Sequence, residues 1–466
     1  MFYYKTLIKR VNIAMNKSVS TLVMIFVWGL GFIGAELTVA QSPSAKEFNQ
    51  FSSQAKADYQ HFSQKNEKIF ATNLLKDWKS FKRALVKKNP QIIKPKQQPI
   101  LKTELGPDVQ YKRNDKHTVV NKTALLEQPS RGFYGHEIPE LLANSAINEY
   151  RGNSPVGISE YRNYLLANKQ FTTLISVFKS SKKKITHDHW ANALLANYLC
   201  GRELKQESSI TLCTWAVLHS IQLDARLAQA ETGLLLLLAS KQGWLERPYY
   251  QIEGISLYVF NHKKYKQLSN QEISLHLNAY PNAVNQVNIK PSLGLKPAIQ
   301  RIIKQPMKGM NAVLELDLDH IKYTQHLPIL PITAYLHDKM PNYLATQIVP
   351  LFPKEKTTNG VIENILSWVQ ELPYQTDDMQ FGLEKPMTFS QLLYFHASDC
   401  EDRVYAFATL LASMNIFNVA ALQYPNHLSA AVKINRQWYE TDPTYKGGKV
   451  GQSQPAFKEV NPIWHY

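Results

Sequence analysis

The chain has 466 residues, of which 44% are hydrophobic, and a formal net charge of +16. That apolar content excludes a disordered chain and leaves room for two or three packed domains. The 19 glycines make no GxGxxG or Walker pattern, so no phosphate-cradling loop and no nucleotide cofactor is expected, and no nucleic-acid-binding motif accompanies the basic charge.

Residues 1–40 read as an export signal. Lys5, Lys9, Arg10 and Lys17 precede an apolar run from Val19 to Ile33, and Thr38-Val39-Ala40 supplies small residues before a cut ahead of Gln41. Met15 is an alternative start that gives a better-proportioned charged region. The competing reading is an uncleaved anchor, for which the run is short. Export to the periplasm or beyond the cell is the expectation.

Residues 41–88 carry an aromatic stripe: Phe48, Phe51, Tyr59, Phe62, Phe70, Trp78 and Phe81 follow helical steps. The spacing predicts an amphipathic helical segment that packs on the body of the protein or on a second copy, with binding to a membrane surface as the sharper alternative. Lys76, Lys79, Lys82, Arg83, Lys87 and Lys88 concentrate basic charge there, read as a solvated face. Pro90, Pro95, Pro99 and Pro107 mark 89–130 as a linker.

Residues 131–270 read as helices followed by strands: helices over Trp190–Leu199 and Ile210–Ile221, strands over Ala225–Ala230, Leu234–Ala239 and Leu257–Phe260. His187-Asp188-His189 lacks the i, i+4 spacing of a helical zinc pair, and no metal is expected. Cys200 and Cys213 are close enough in sequence to pair, which would leave Cys400 as the odd thiol; two unpaired buried thiols are the alternative. Residues 271–345 are expected to be a β-rich connection, with a half-buried strand over Leu314–Leu318.

Residues 346–466 carry the chemistry. Val361–Gln370 is a short helix and Pro373–Met387 a loop. Ser398 followed by Glu401 reads as a capping box, so a helix starts at Asp399 with Cys400 in its first turn. Unpaired N–H groups and the positive helix end there favour thiolate and can receive an oxyanion. Three strands follow, over 418–424, 427–434 and 438–441. A tight loop at 434–437 pairs Lys433 with Trp438 and makes Asp442 the same-face diagonal neighbour of His427. A cysteine, a histidine and an acid placed so can form a thiol acyl-transfer triad. Asp399, Glu401 and Asp402 oppose ionisation of the thiol, which must then depend on His427.

Trp368-Val369-Gln370, Tyr374-Gln375-Thr376-Asp377-Asp378, Gln380 to Pro386, Ser398-Asp399-Cys400-Glu401-Asp402-Arg403, Tyr424-Pro425-Asn426-His427 and Tyr439-Glu440-Thr441-Asp442-Pro443-Thr444-Tyr445 together resemble the transglutaminase-like superfamily of papain-fold cysteine enzymes, secreted bacterial members above all. The resemblance implies an α+β chain with a papain-like catalytic domain at its C-terminus. It implies Cys400 as nucleophile, His427 as base and then acid, Asp442 as orienter and Gln370 as an oxyanion donor, acting on a peptide or protein substrate. Asn426 stands where bacterial members often carry Gly. A weaker internal match runs from Val217–Arg226 to Leu410–Val419, so that Glu207 falls opposite Cys400 and Leu234 opposite His427. On that register 131–270 is a degenerate second unit without a triad. The expectation is an exported cysteine peptidase or amidase; the alternatives are a cross-linking transamidase and a non-catalytic envelope scaffold.

Overall fold

A computed structural model of the chain describes residues 92–93 and 116–466, apart from 142–145, 153–154, 231–232, 246, 253, 261–272, 277–284, 308, 383–384, 426, 453 and 458–459. The expected export signal and aromatic-striped helix lie outside the described residues. So does Asn426.

Part of the expected linker is regular structure. Strand β1 (Ile92–Ile93) pairs antiparallel with β4 (Tyr249–Ile252), and helix α1 spans Lys116–Glu127. No proline falls between Pro107 and Pro129, and Leu126 at the end of α1 is fully buried, so that helix has an apolar anchor where composition suggested a tether. Tyr394 Oη donates to the Lys122 carbonyl at 2.9 Å and fixes α1 to the C-terminal half.

Four helices follow: α2 (Pro155–Ala167), α3 (Lys169–Ile185), α4 (His189–Glu203) and α5 (Glu207–His219). Asn168 caps α3 by accepting from Phe171 N at 3.1 Å, and Asp188 caps α4 by accepting from Ala191 N at 2.7 Å. Cys200 on α4 and Cys213 on α5 form a buried disulfide. Helix α5 packs on β2 (Ala225–Ala230) and β3 (Gly233–Ala239), and Trp215 Nε1 donates to the Ala225 carbonyl at 3.0 Å. With β5 (Ile255–Val259) and β6 (Ser274–His276) these strands complete a sheet of order β1-β4-β5-β3-β2-β6.

The expected β-rich connection is half helical. After the hairpin β7 (Ile302–Met307) and β8 (Ala312–Asp317) come α6 (Leu318–Gln325), α7 (Ile332–Leu336) and α8 (Asn342–Ile348). Strand β8 ends where the Asp317 carboxylate turns to accept from Asp319 N at 3.0 Å and His320 N at 3.3 Å, starting α6.

The C-terminal part runs α9 (Thr358–Gln370), α10 (Asp377–Phe381), α11 (Phe389–Phe395) and α12 (Cys400–Ser413), then β9 (Val419–Tyr424), β10 (His427–Ile434), β11 (Gln437–Thr441) and β12 (Ile463–His465). The expected loop before Met387 thus holds one short helix, α10. The strands form an antiparallel sheet of order β11-β10-β9-β12. Helix α12 lies between α9 and β10 and is buried from Cys400 to Ala412, all round rather than on one face. Each large apolar side chain removed from water there contributes about 1.5–3 kcal/mol. One continuous core joins Leu126 near the start to Val432 near the end. The architecture is α+β, with every named strand pair antiparallel.

The two larger sheets share an order. A helix leads into a two-residue hairpin (β2–β3, β9–β10); a later strand pairs with the second strand (β5, β11), and the last pairs with the first (β6, β12). Glu207 opens α5 as Cys400 opens α12, but α5 has 13 residues against 14. The hairpins, which pair Ala230 with Gly233 and Tyr424 with His427, therefore put Gly233 opposite His427, one residue before the expected Leu234.

Candidate active site

Cys400 is the first residue of α12, and the cap is Asp399, whose Oδ1 accepts from Asp402 N at 3.3 Å. The expected capping box was placed one residue early. Ser398 is committed elsewhere: its N–H donates to the Pro373 carbonyl at 3.1 Å, its carbonyl accepts from Gln375 N at 3.1 Å, and its hydroxyl accepts from Arg403 Nε at 3.3 Å. That short bridge holds the approach to the helix. Cys400 therefore sits among the first N–H groups of α12, which have no partner within the helix.

His427 opens β10, and Asp442 directly follows β11. The ladder pairs Lys433 with Trp438 and Ala430 with Thr441, the expected register. Asn435 and Arg436, with φ of 51° and 69°, make the tight left-handed turn that sets it. His427 Nε2 meets Asp442 Oδ2 at 2.8 Å, both residues being buried. Asp442 Oδ1 accepts from Thr444 N at 2.8 Å and Tyr445 N at 3.2 Å, so both carboxylate oxygens are held. With Nε2 on Asp442, the free ring nitrogen of His427 is Nδ1. The Cys400 thiol lies by the same strand end, where the N–H of Leu428, the residue after His427, favours its thiolate.

The electrostatics run against a resting thiolate. Burial pushes the Cys400 thiol well up from its ordinary value, Asp399 adds to the shift, the Leu428 N–H opposes it, and Asp442 and Asp402 reinforce it. The partial positive charge of the helix end does not outweigh burial among carboxylates. Burial, Asp399 and Asp377 likewise push the Asp402 carboxyl well up towards its neutral form. Lys385 lies beside Asp377 and Asp402; burial lowers its pKa and both carboxylates raise it.

The site is closed. Cys400 is 1% exposed and His427 4%. Phe457, in a short 3-10 turn over Pro455–Phe457, stacks face to face on the His427 ring at 5.0 Å with 5° between the planes, and its other neighbour is Tyr424 at 4.8 Å. Phe457 lies thirty residues from His427 with no motif around it to signal its place in the site.

Gln370 is near the site but cannot be the expected oxyanion donor. Its Nε2 donates to the carbonyls of Asp442 at 2.9 Å and Gly448 at 3.0 Å, and its Oε1 accepts from Gly447 N at 3.2 Å. Both amide protons go to backbone. Gln375 has the opposite character: its backbone pairs with Ser398, and its buried Oε1 has no hydrogen-bond partner.

One group among the described residues could hold a cation. Asp377, Asp399 and Glu401 bring ligand oxygens within 4.8 Å of one another and all three are buried. Duties within the fold already engage two of them: Asp399 caps α12, and Asp377 Oδ2 accepts from Lys385 N at 2.5 Å. At His187-Asp188-His189 the carboxylate caps α4 and accepts from Lys290 N at 2.8 Å; burial pushes it up to about 6.

Comparison with protein-family models, curated proteins and solved structures finds no match.

Proposed function

We propose that the chain is an exported, transglutaminase-like cysteine hydrolase, a peptidase or amidase with a papain-like C-terminal domain. The observation that carries this is the 2.8 Å contact between His427 and Asp442, at the strand end beside which the Cys400 thiol lies. A thiol on a helix start, an imidazole and a fixed carboxylate are the parts that thiol acyl transfer needs.

In this reading His427 Nδ1 takes the Cys400 proton as the sulfur attacks an amide carbonyl, forming a carbon–sulfur bond. The N–H groups at the start of α12 receive the oxyanion. The imidazolium, steadied by Asp442, returns its proton to the leaving amine and leaves a thioester on Cys400. Water, deprotonated by His427, then releases the acid and restores the thiol. An amine in place of water gives transamidation instead. Because the resting thiol is held neutral, the proton moves with the attack rather than before it.

The Cys200–Cys213 disulfide favours an oxidising compartment, in line with export. Among the described residues no helix is long and apolar enough to cross a membrane. The shared strand order of the two sheets favours a duplicated unit, and Gly233 in the place of His427 leaves the first copy without a base. A second reading, a scaffold that keeps the fold without turnover, is favoured by the 1% exposure of Cys400.

The discriminating experiment exposes a proteome-derived peptide mixture to the purified chain and to Cys400→Ala, with and without a primary amine. New carboxyl ends made only by the parent support hydrolysis. Amine-bearing glutamine products support transamidation. No difference from Cys400→Ala supports the scaffold.

A further inference from the structure

Strand β11 ends at Thr441, so the ladder stops just before the residue that orients His427. Asp442 opens a turn that runs to Gly448, and the side chain of Gln370 closes that turn. One amide group binds the carbonyl at its beginning, at 2.9 Å on Asp442, and the carbonyl at its end, at 3.0 Å on Gly448. The amide oxygen accepts from Gly447 N at 3.2 Å. Gly447 has φ +81°, a left-handed backbone that a side chain would resist. Gln370 is 6% exposed, the last residue of α9, and α9 packs directly on α12, the helix that carries Cys400.

Two further residues, one on α9 and one just past it, touch the same stretch. Glu363, two helical turns earlier, accepts from Val450 N at 3.0 Å. Glu371, just past the helix, pairs with Lys446 at 2.8 Å, but both are exposed and such a pair contributes little. Of these three, Gln370 is the one that binds Asp442. It is also the one buried contact here in which a neutral amide meets three backbone groups with matched donors and acceptors, an arrangement costly to leave half made.

We propose that Gln370 is a positioning residue for the reaction, acting through Asp442: it ties the turn that carries the carboxylate to the helix that packs against the nucleophile's helix, and so fixes the distance between the two ends of the triad. This rests on the triad reading above. It assigns Gln370 no contact with substrate or oxyanion.

The test is the pH profile of Cys400 alkylation by iodoacetamide in the full exported chain, measured for the parent, Gln370→Met, Asp442→Ala and the double variant. Met keeps the length and stem of Gln and removes all three hydrogen bonds. The expected result is a roughly tenfold slower reaction near neutral pH for Gln370→Met, about the effect of one lost hydrogen bond network, with the inflection moved to higher pH. The double variant is expected to be no slower than Asp442→Ala, because Gln370 acts through that carboxylate. An unchanged profile for Gln370→Met, or full additivity in the double variant, overturns the positioning role while leaving the triad standing. An unchanged profile for Asp442→Ala overturns the triad reading and this inference with it. Hydrogen exchange on the unaltered chain needs no variant: slow exchange at Gly447 N–H is expected, and exchange at the rate of an open loop overturns the clasp.

Discussion

His427 Nε2 and Asp442 Oδ2 lie 2.8 Å apart, brought together by a five-pair antiparallel ladder rather than by proximity in sequence. The carboxylate has two further ties to backbone N–H groups, so it is fixed before the imidazole meets it. Asp442→Asn keeps the shape and presents an amide to Nε2, which reverses the donor pattern. It should leave the melting temperature within about 4 °C and slow any Cys400-dependent turnover by roughly 10²–10⁴-fold. Turnover unaffected by the change would remove Asp442 from the mechanism.

The raised Cys400 pKa has a measurable sign. Burial and the flanking carboxylates disfavour the thiolate, so alkylation of Cys400 should be slow at pH 6 and climb steadily into the alkaline range. A preformed thiolate would instead give a rate nearly flat down to acid pH. Rates across pH 5–10, with each product located by peptide mass mapping, separate the two.

Phe457 covers the face of the imidazole. Phe457→Ala should raise the alkylation rate of Cys400 by several-fold with a bulky reagent and less with a small one, because the barrier removed is steric. Since Phe457 is only half-buried, the cost to stability should stay within about 2 kcal/mol. Equal rates for parent and variant with both reagents would show that access runs elsewhere.

Much of this site could be read from residue order. The β10–β11 register followed from the two-residue turn at Asn435 and Arg436, not from alternation of burial, since β10 is buried on both faces from His427 to Val432. The start of α12 was read one residue early, because Ser398 and Asp399 are both good caps and only the backbone bridge from Ser398 to Pro373 and Gln375 decides between them. The engagement of Gln370 is hidden in the sequence for a different reason. A glutamine upstream of a nucleophile looks like a donor to substrate, and nothing local shows that its amide is taken by a turn more than seventy residues later. Depth of burial was also hidden: α12 carries polar residues at Glu401, Asp402 and Arg403, yet all three are buried. Helices α6 to α8 leave little periodic signal because each is short, at most eight residues.

Away from the site, Asp338 supplies a pH-dependent contribution to stability. Burial pushes its carboxyl from 3.8 up to about 7, opposed by hydrogen bonds from Ser292. A raised acid holds its proton more tightly folded than unfolded. Its contribution is therefore complete below about pH 4 and is lost as pH rises to about 7. Asp338→Asn keeps an acceptor for Ser292 N and cannot ionise, so it should raise the melting temperature at pH 8 and flatten its decline between pH 4 and 7. Superimposable curves for parent and variant would contradict this.

The Cys200–Cys213 bridge joins α4 to α5 across a short loop. Replacing both by Ser should cost roughly 2–4 kcal/mol in denaturant unfolding and leave Cys400 chemistry unchanged in the folded fraction. A cost near zero would mean that the helices are held by packing alone.

Acyl transfer at this site requires that His427 activate Cys400. The most direct measurement is the second-order rate of Cys400 alkylation at pH 7 in the parent and in His427→Ala, both checked for folding by circular dichroism. The triad predicts a rate at least about tenfold lower in the variant, with the two converging at high pH where the thiol ionises unaided. Equal rates at pH 7 in two folded proteins would contradict it.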